Sequence, residues 1–168
     1  MALFDAFLKL DGIKGESADA NHKGEIDIVS FSWGATNRSN IGSATGGAGA
    51  GKAQFQQLIF VKKADASTPL LVQACASGQH CKDGTFTVRK AGGTQLEYLK
   101  LALKVVFVTD FQQQGSPKDD EIPLEKVTVT VGSLVVQYQQ QGADGRALGG
   151  PLLASWNQVK NIENPTLP

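Results

Sequence analysis

The chain has 168 residues, with 16 Lys plus Arg balanced by 16 Asp plus Glu, which suits one domain over 1–168 with a sizeable core and is short for two. A net charge near zero, with no long block of either sign, lacks the electrostatic footprint of a general nucleic-acid or anionic-membrane binder. No apolar run approaches the ~20 residues that a membrane-spanning helix needs, so membrane insertion is not expected.

The opening segment, MALFDAFLKLDG, lacks a basic leader, and Asp5 interrupts its apolar residues early. It does not read as a secretory signal peptide. Synthesis and folding in the cytosol are therefore expected, with any export by a route that cleaves no leader. Strands are predicted at Phe7–Leu10 and Glu25–Trp33. In the second, Glu25 and Asp27 alternate with Ile26 and Ile28, and Phe31 and Trp33 alternate with Ser30 and Ser32. Aromatic residues in this pattern anchor cores, which assigns Phe31 and Trp33 inward and leaves the two serines on a polar-tolerant face. His22, in the polar stretch Asn21-His22-Lys23-Gly24, reads as an exposed turn histidine.

Residues 35–53 read as a long loop whose small residues, from Gly42 through Gly51, cannot build a core. Gly46, Gly47, Gly49, Gly51 and Lys52 fit the opening of a phosphate-binding loop, G-x-x-x-x-G-K. That chemistry next requires a hydroxyl residue for magnesium and a helix whose first amides face the phosphates. Ala53 holds the hydroxyl position and Gln54–Val61 reads as a strand. A glycine loop remains, not a nucleotide site.

One helix is predicted, over about 68–77. Ser67-Thr68-Pro69 offers a hydroxyl cap and an early proline, Leu70, Leu71, Ala74 and Cys75 recur at helical spacing, and Gly78 ends the run. Cys75 and Cys81 have five residues between them and match no metal motif, even with His80 beside Cys81. They read as ordinary thiols, at least one of them buried, and His80 as a second exposed histidine. A strand follows at Gly84–Lys90. From Leu99, the residues Leu101, Leu103, Val105 and Phe107 recur with period two, which predicts one buried face. Past Lys104 both faces turn apolar, as if the strand ran under a second layer.

Gln112 to Asp120 reads as a polar turn. Val127, Val129 and Val131 then alternate with polar residues, and after Gly132 the apolar phase moves to Leu134, Val136 and Tyr138, which suggests a bulge. A last strand is expected at Leu153–Lys160 with Trp156 as a third core anchor, and the tail after 161 reads as loosely held. Strands joined by short turns, with one helix, indicate a mainly-β antiparallel sandwich or small barrel. The crossover helices of a βαβ fold are missing.

No catalytic, cofactor or metal residue is assigned. There is no G-x-S-x-G, and neither histidine completes a Ser/His/Asp set. Glu25 and Asp27 share a strand face and would suit a glycoside hydrolase only as a pair in one cleft; the same spacing is met on ordinary solvated or interface strands. A non-enzymatic chain is expected, and a monomeric ligand-binding β-barrel stays open as the alternative.

Taken in order, these segments resemble the haemolysin-coregulated protein (Hcp) family, the inner-tube subunit of the type VI secretion system. The carrying residues run from Phe7 through Ser17, then His22, then Glu25-Ile26-Asp27 into Ser30-Phe31-Ser32-Trp33-Gly34. They continue with the glycine loop closing in Gly51-Lys52, Asp65 with Ser67-Thr68-Pro69, and Ser77-Gly78 with His80. Val88 to Gly93, Glu97-Tyr98, Tyr138 and the stretch from Gly149-Gly150-Pro151 to Trp156-Asn157 complete the set. The resemblance implies a compact barrel of two antiparallel sheets with a flanking helix, without an extra toxin domain. It implies partners as well: copies of the chain in stacked homohexameric rings, the sheath and spike of the contractile machine, and exported effectors, some of them in the lumen. It implies secretion after cytoplasmic assembly and no cofactor. Within that frame, Gly42 to Lys52 is expected to reach a neighbouring subunit, and Ser32, with Ser30, to face the lumen and cargo.

Overall fold

The computed structural model describes residues 3–38, 52–92, 94–118 and 121–163. Ten strands and one helix are defined in these segments: β1 Phe4–Leu10, β2 Ile26–Ile28, β3 Ser30–Ser32, β4 Ala35–Asn37, β5 Ala53–Phe55, β6 Leu58–Lys63, α1 Thr68–Ser77, β7 His80–Lys90, β8 Glu97–Gln114, β9 Leu124–Tyr138 and β10 Leu152–Asn157. The expected mainly-β barrel with one flanking helix is observed, and its two sheets are unequal. Eight strands form one antiparallel sheet in the order β2-β1-β7-β8-β9-β6-β3, with β10 added on β9, and β4–β5 form a separate pair.

The large sheet nearly closes on itself. β2 pairs with β1 at one end of the order and β3 with β6 at the other, and the Val29 N–H between them donates to Val61 O at 2.8 Å. The strand expected at Glu25–Trp33 is thus broken at Val29, where the chain leaves one edge and joins the other. Closure hides edges that would otherwise be left unpaired. Leu8, Ile26, Phe60, Phe86, Val106, Val127 and Val129 fill the interior with 0 % exposure. A ligand-binding barrel would need that volume empty.

The long hairpin β8–β9 departs most from the alternation read in sequence. Leu101 and Leu103 are buried, but Val105 and Phe107 are exposed, and Val106 and Val108 turn inward instead. Val105 has φ 57, a left-handed conformation rare for a β-branched residue. Opposite it, the phase of β9 also moves, from Val129 and Val131 to Leu134. The pairs Lys104↔Ser133 and Val106↔Val131 keep one register across the kink, and the register shift lies at Val108/Asp110. Gly132 therefore marks no bulge. It marks a corner at which both strands change the face they bury, and a Cβ there would stand 3.1 Å from the Val105 Cβ.

Several boundaries differ from expectation. β7 begins at His80, and β8 runs to Gln114, into the stretch read as a turn. Gln54–Val61 is two strands, because Ala53–Phe55 pairs with β4 while Leu58–Lys63 pairs with β9. β10 stops at Asn157 because Gln158 turns to close a gap. Its N–H donates to Gly132 O at 3.1 Å, and its carboxamide donates to Val131 O and accepts from Phe55 N–H. Helix α1 occupies the expected span and ends at Gly78, φ 68. Leu71 alone in it is buried and Leu70 is exposed. Ser67 makes no side-chain cap; its hydroxyl is bonded to Asp65.

Candidate functional site

Tertiary contacts assemble two charged clusters and leave several open grooves on the surface, two of them markedly apolar. The first cluster lies where the segment between β1 and β2 folds back over the outer side of β1 and β7. Gly15 N–H donates to Gly24 O and Ser17 N–H to Glu25 O, at 2.9 and 3.0 Å. A Cβ on Gly15 would meet Glu25 O at 2.4 Å, so this approach admits glycine only. Beneath the fold-back, Phe7 is buried; His22 stacks on it at 4.1 Å and the Arg89 guanidinium lies 4.9 Å from its ring.

His22 corrects an expectation. Its polar sequence neighbourhood predicts an exposed turn residue, yet it is 6 % exposed, because an aromatic face and two carboxylates cover it. Its Nδ1 lies 2.9 Å from Glu25 Oε2. Its Nε2 lies 3.2 Å from Glu97 Oε1. Burial works against ionisation of Glu97, but Lys100 and His22 together hold its carboxyl below the ordinary range. Arg89, itself buried, pairs with Asp5 and Asp19. Its hydrogen bond lowers the Asp19 carboxyl, and that bond in turn raises the guanidinium further. His80, by contrast, is exposed and lies 5.1 Å from the Phe107 ring.

These contacts remove the premise of a carboxylate pair. Glu25 is committed to His22, while Asp27 is exposed on β2 with no ion partner among the described residues. Asp27 lines a surface groove that Glu25 does not share.

The second cluster is internal. Lys62 and Glu125 both have 0 % exposure, and Lys62 Nζ lies 2.6 Å from Glu125 Oε2 and 2.9 Å from Asp65 Oδ1. Glu125 Oε1 accepts from Thr68 Oγ1 at 2.8 Å and Gln113 Nε2 at 2.9 Å. The network ties β6, β9, the end of β8 and the start of α1. It is satisfied as a unit, as buried charge must be. In sequence Lys62 adjoins Lys63 and Glu125 adjoins Lys126 at strand ends, where charged residues are ordinarily solvated, so nothing local marks them as a buried pair.

Ser30 and Ser32 are exposed on β3. Phe31, between them, packs 4.7 Å from Phe86 and 6.1 Å from Phe4. Trp33 is partly buried against the core. Trp156 is partly buried on β10, with its indole N–H shielded and unpartnered among the described residues. Of the glycine loop, Gly42, Gly46, Gly47, Gly49 and Gly51 lie outside the described residues, and Lys52 is exposed. Lys52 stands on the rim of a groove of about 350 Å³ at the β8–β9 corner, lined by Val105, Phe107 and Val159. A second groove, of about 420 Å³, lies along β1 and β2 between Leu3, Phe4, Asp27 and Val29.

The described residues form a near-closed β-barrel with a filled interior, buried charge clusters and apolar grooves on its outside. Residues 7–138 match the family described as "Type VI secretion system effector, Hcp", and the chain belongs to that family. It is 42% identical over 160 residues to the protein hcp1 of Pseudomonas aeruginosa, covering 95% of this chain and 98% of that one. A solved type six secretion system protein has a similar fold, with TM-score 0.89 and 28% identity over 96% of this chain and 99% of its own. Hcp1 from Salmonella typhimurium is similar with TM-score 0.78 and 33% identity, over 97% and 100%. Hcp is a secreted type VI protein and not a known family of enzymes. Among the described residues, no helix is long and apolar enough to cross a membrane.

Proposed function

We propose that this chain is the inner-tube subunit of a type VI secretion system, assembling as rings of six copies that stack and leave the cell with effectors. The single observation that carries the reading is family membership over nearly the whole chain. Head-to-tail contacts close into a ring when their rotation divides a circle, and repeated end-to-end contacts extend rings into a tube. Exposed apolar residues beside grooves, among them Val29, Val105 and Phe107, are surface that association could cover.

In this reading the loop from Gly42 to Lys52 docks on a neighbouring subunit. Ser32, with Ser30, faces the lumen and meets cargo. Phe31, Trp33 and Trp156 anchor the wall behind it. The test is native mass by size-exclusion chromatography with light scattering, followed by negative-stain imaging. A species of about six monomer masses, seen as open rings, is the expected result. A monomer at all concentrations would overturn it. Deleting 42–51 should abolish stacking, and Ser32→Arg should spare rings while weakening cargo retention.

A further inference from the structure

Two of the outer grooves, the one at the β8–β9 corner and the one along β1 and β2, differ in the way that a head-to-tail contact requires. They share no residue. The groove at the β8–β9 corner is apolar around Val105, Phe107 and Val159, and its one charged lining residue is Lys52. The groove along β1 and β2 is apolar around Leu3, Phe4 and Val29, and both of its charged lining residues, Asp5 and Asp27, are acidic. Asp5 is engaged by Arg89. Asp27 is exposed and, like Lys52, has no ion partner among the described residues.

The corner supplies the concavity. Where β8 and β9 change faces, Val105 and Phe107 are turned outward, and Gln158 bonds across the gap between β6 and β10 on the edge of β9, through its backbone N–H to Gly132 O and its side chain to Val131 O. Val29, where the barrel closes, is 52% exposed and Leu3 is 87% exposed, so these two walls of the second groove present apolar side chains to the outside, with the acidic Asp27 next to them. An apolar centre with a charged rim of opposite sign on each side is how specific contacts set register.

We propose that the β8–β9 corner groove of one copy receives the Leu3–Val29 edge of the next, with Lys52 of the first facing Asp27 of the second. The inference rests on the self-assembly reading and adds to it which surfaces meet. A contact between two different surfaces is heterologous, so it propagates instead of ending at a dimer.

Charge reversal tests the pairing directly. Lys52→Asp alone sets aspartate against Asp27, and Asp27→Lys alone sets lysine against Lys52. Each should raise the midpoint concentration of assembly at least about fivefold in low salt, the size of an exposed pair lost and turned repulsive. Mixed in equal amounts, the two variants present opposite charges at every alternating contact, so assembly should return. The double variant Lys52→Asp/Asp27→Lys should also assemble. Circular dichroism of each single variant should match the unaltered protein, since both residues are exposed. Single variants that assemble normally, or a mixture that assembles no better than either alone, would overturn the pairing while leaving self-assembly intact. Failure of the unaltered protein to assemble would instead overturn the reading beneath it.

Discussion

Replacing Lys62 with methionine isolates the internal ion pair, because the apolar stem is kept and only the ammonium is removed. Glu125 would retain Thr68 and Gln113 on Oε1, but Oε2 would lose the donor now 2.6 Å away. A fully buried carboxylate left in this state costs about 3–5 kcal/mol, and the two surviving hydrogen bonds put this case near 3 kcal/mol. For a chain of this length each kcal/mol moves the midpoint by about 2–4 °C, so Tm should fall by roughly 6–12 °C. The double variant Lys62→Met/Glu125→Leu removes both charges. Asp65 and Gln113 then turn toward water, and the double variant should cost less than the single one. Urea unfolding followed by tryptophan fluorescence reads both, repeated over a range of protein concentrations because assembly itself adds apparent stability. A single variant within about 1 kcal/mol of the parent, or a double variant that costs as much as its singles summed, would refute an interdependent buried pair.

At the corner, Gly132→Ala brings a methyl to within 3.1 Å of the Val105 Cβ and should cost about 1–3 kcal/mol in the same urea assay. Val105→Gly relieves a left-handed β-branched residue at φ 57 but gives up the partial burial of a side chain that is 40% exposed, and should stay within about 1 kcal/mol of the parent. Asp19 and Glu97 have folded-state carboxyl values below their ordinary 3.8 and 4.5. Their contribution is therefore complete above those ordinary values and is lost as pH falls through the lower folded ones. Stability measured from pH 6 downward should hold to about pH 4.5 and decline below it, and Arg89→Gln should flatten the decline. Burial, with Asp11 nearby, raises the Cys81 thiol, and Cys75 is the less buried of the two. Iodoacetamide at pH 8 should modify Cys75 first by peptide mapping, with Cys81 reacting after unfolding.

The local chemistry of this chain is legible from its sequence. Period-two alternation marks Val127–Val131 as a strand with one buried side, proline and glycine bracket α1 to the residue, and the order of motifs points to the family. Phase past a corner is not legible. Val105 and Phe107 continue the pattern of Leu101 and Leu103 in sequence, yet they face outward, because a backbone turn at one residue, allowed by a glycine on the partner strand, exchanges the faces. Pairing over long separations is equally hidden. Lys62 looks like a surface lysine until β6 is set against β9, 63 residues away at Glu125. His22 looks like a turn residue until β1 supplies Phe7 to stack on and β8 supplies Glu97. Sequence spacing reports which side of an element a residue takes. Which partners share that side depends on the closure of the sheet, and only tertiary structure sets that.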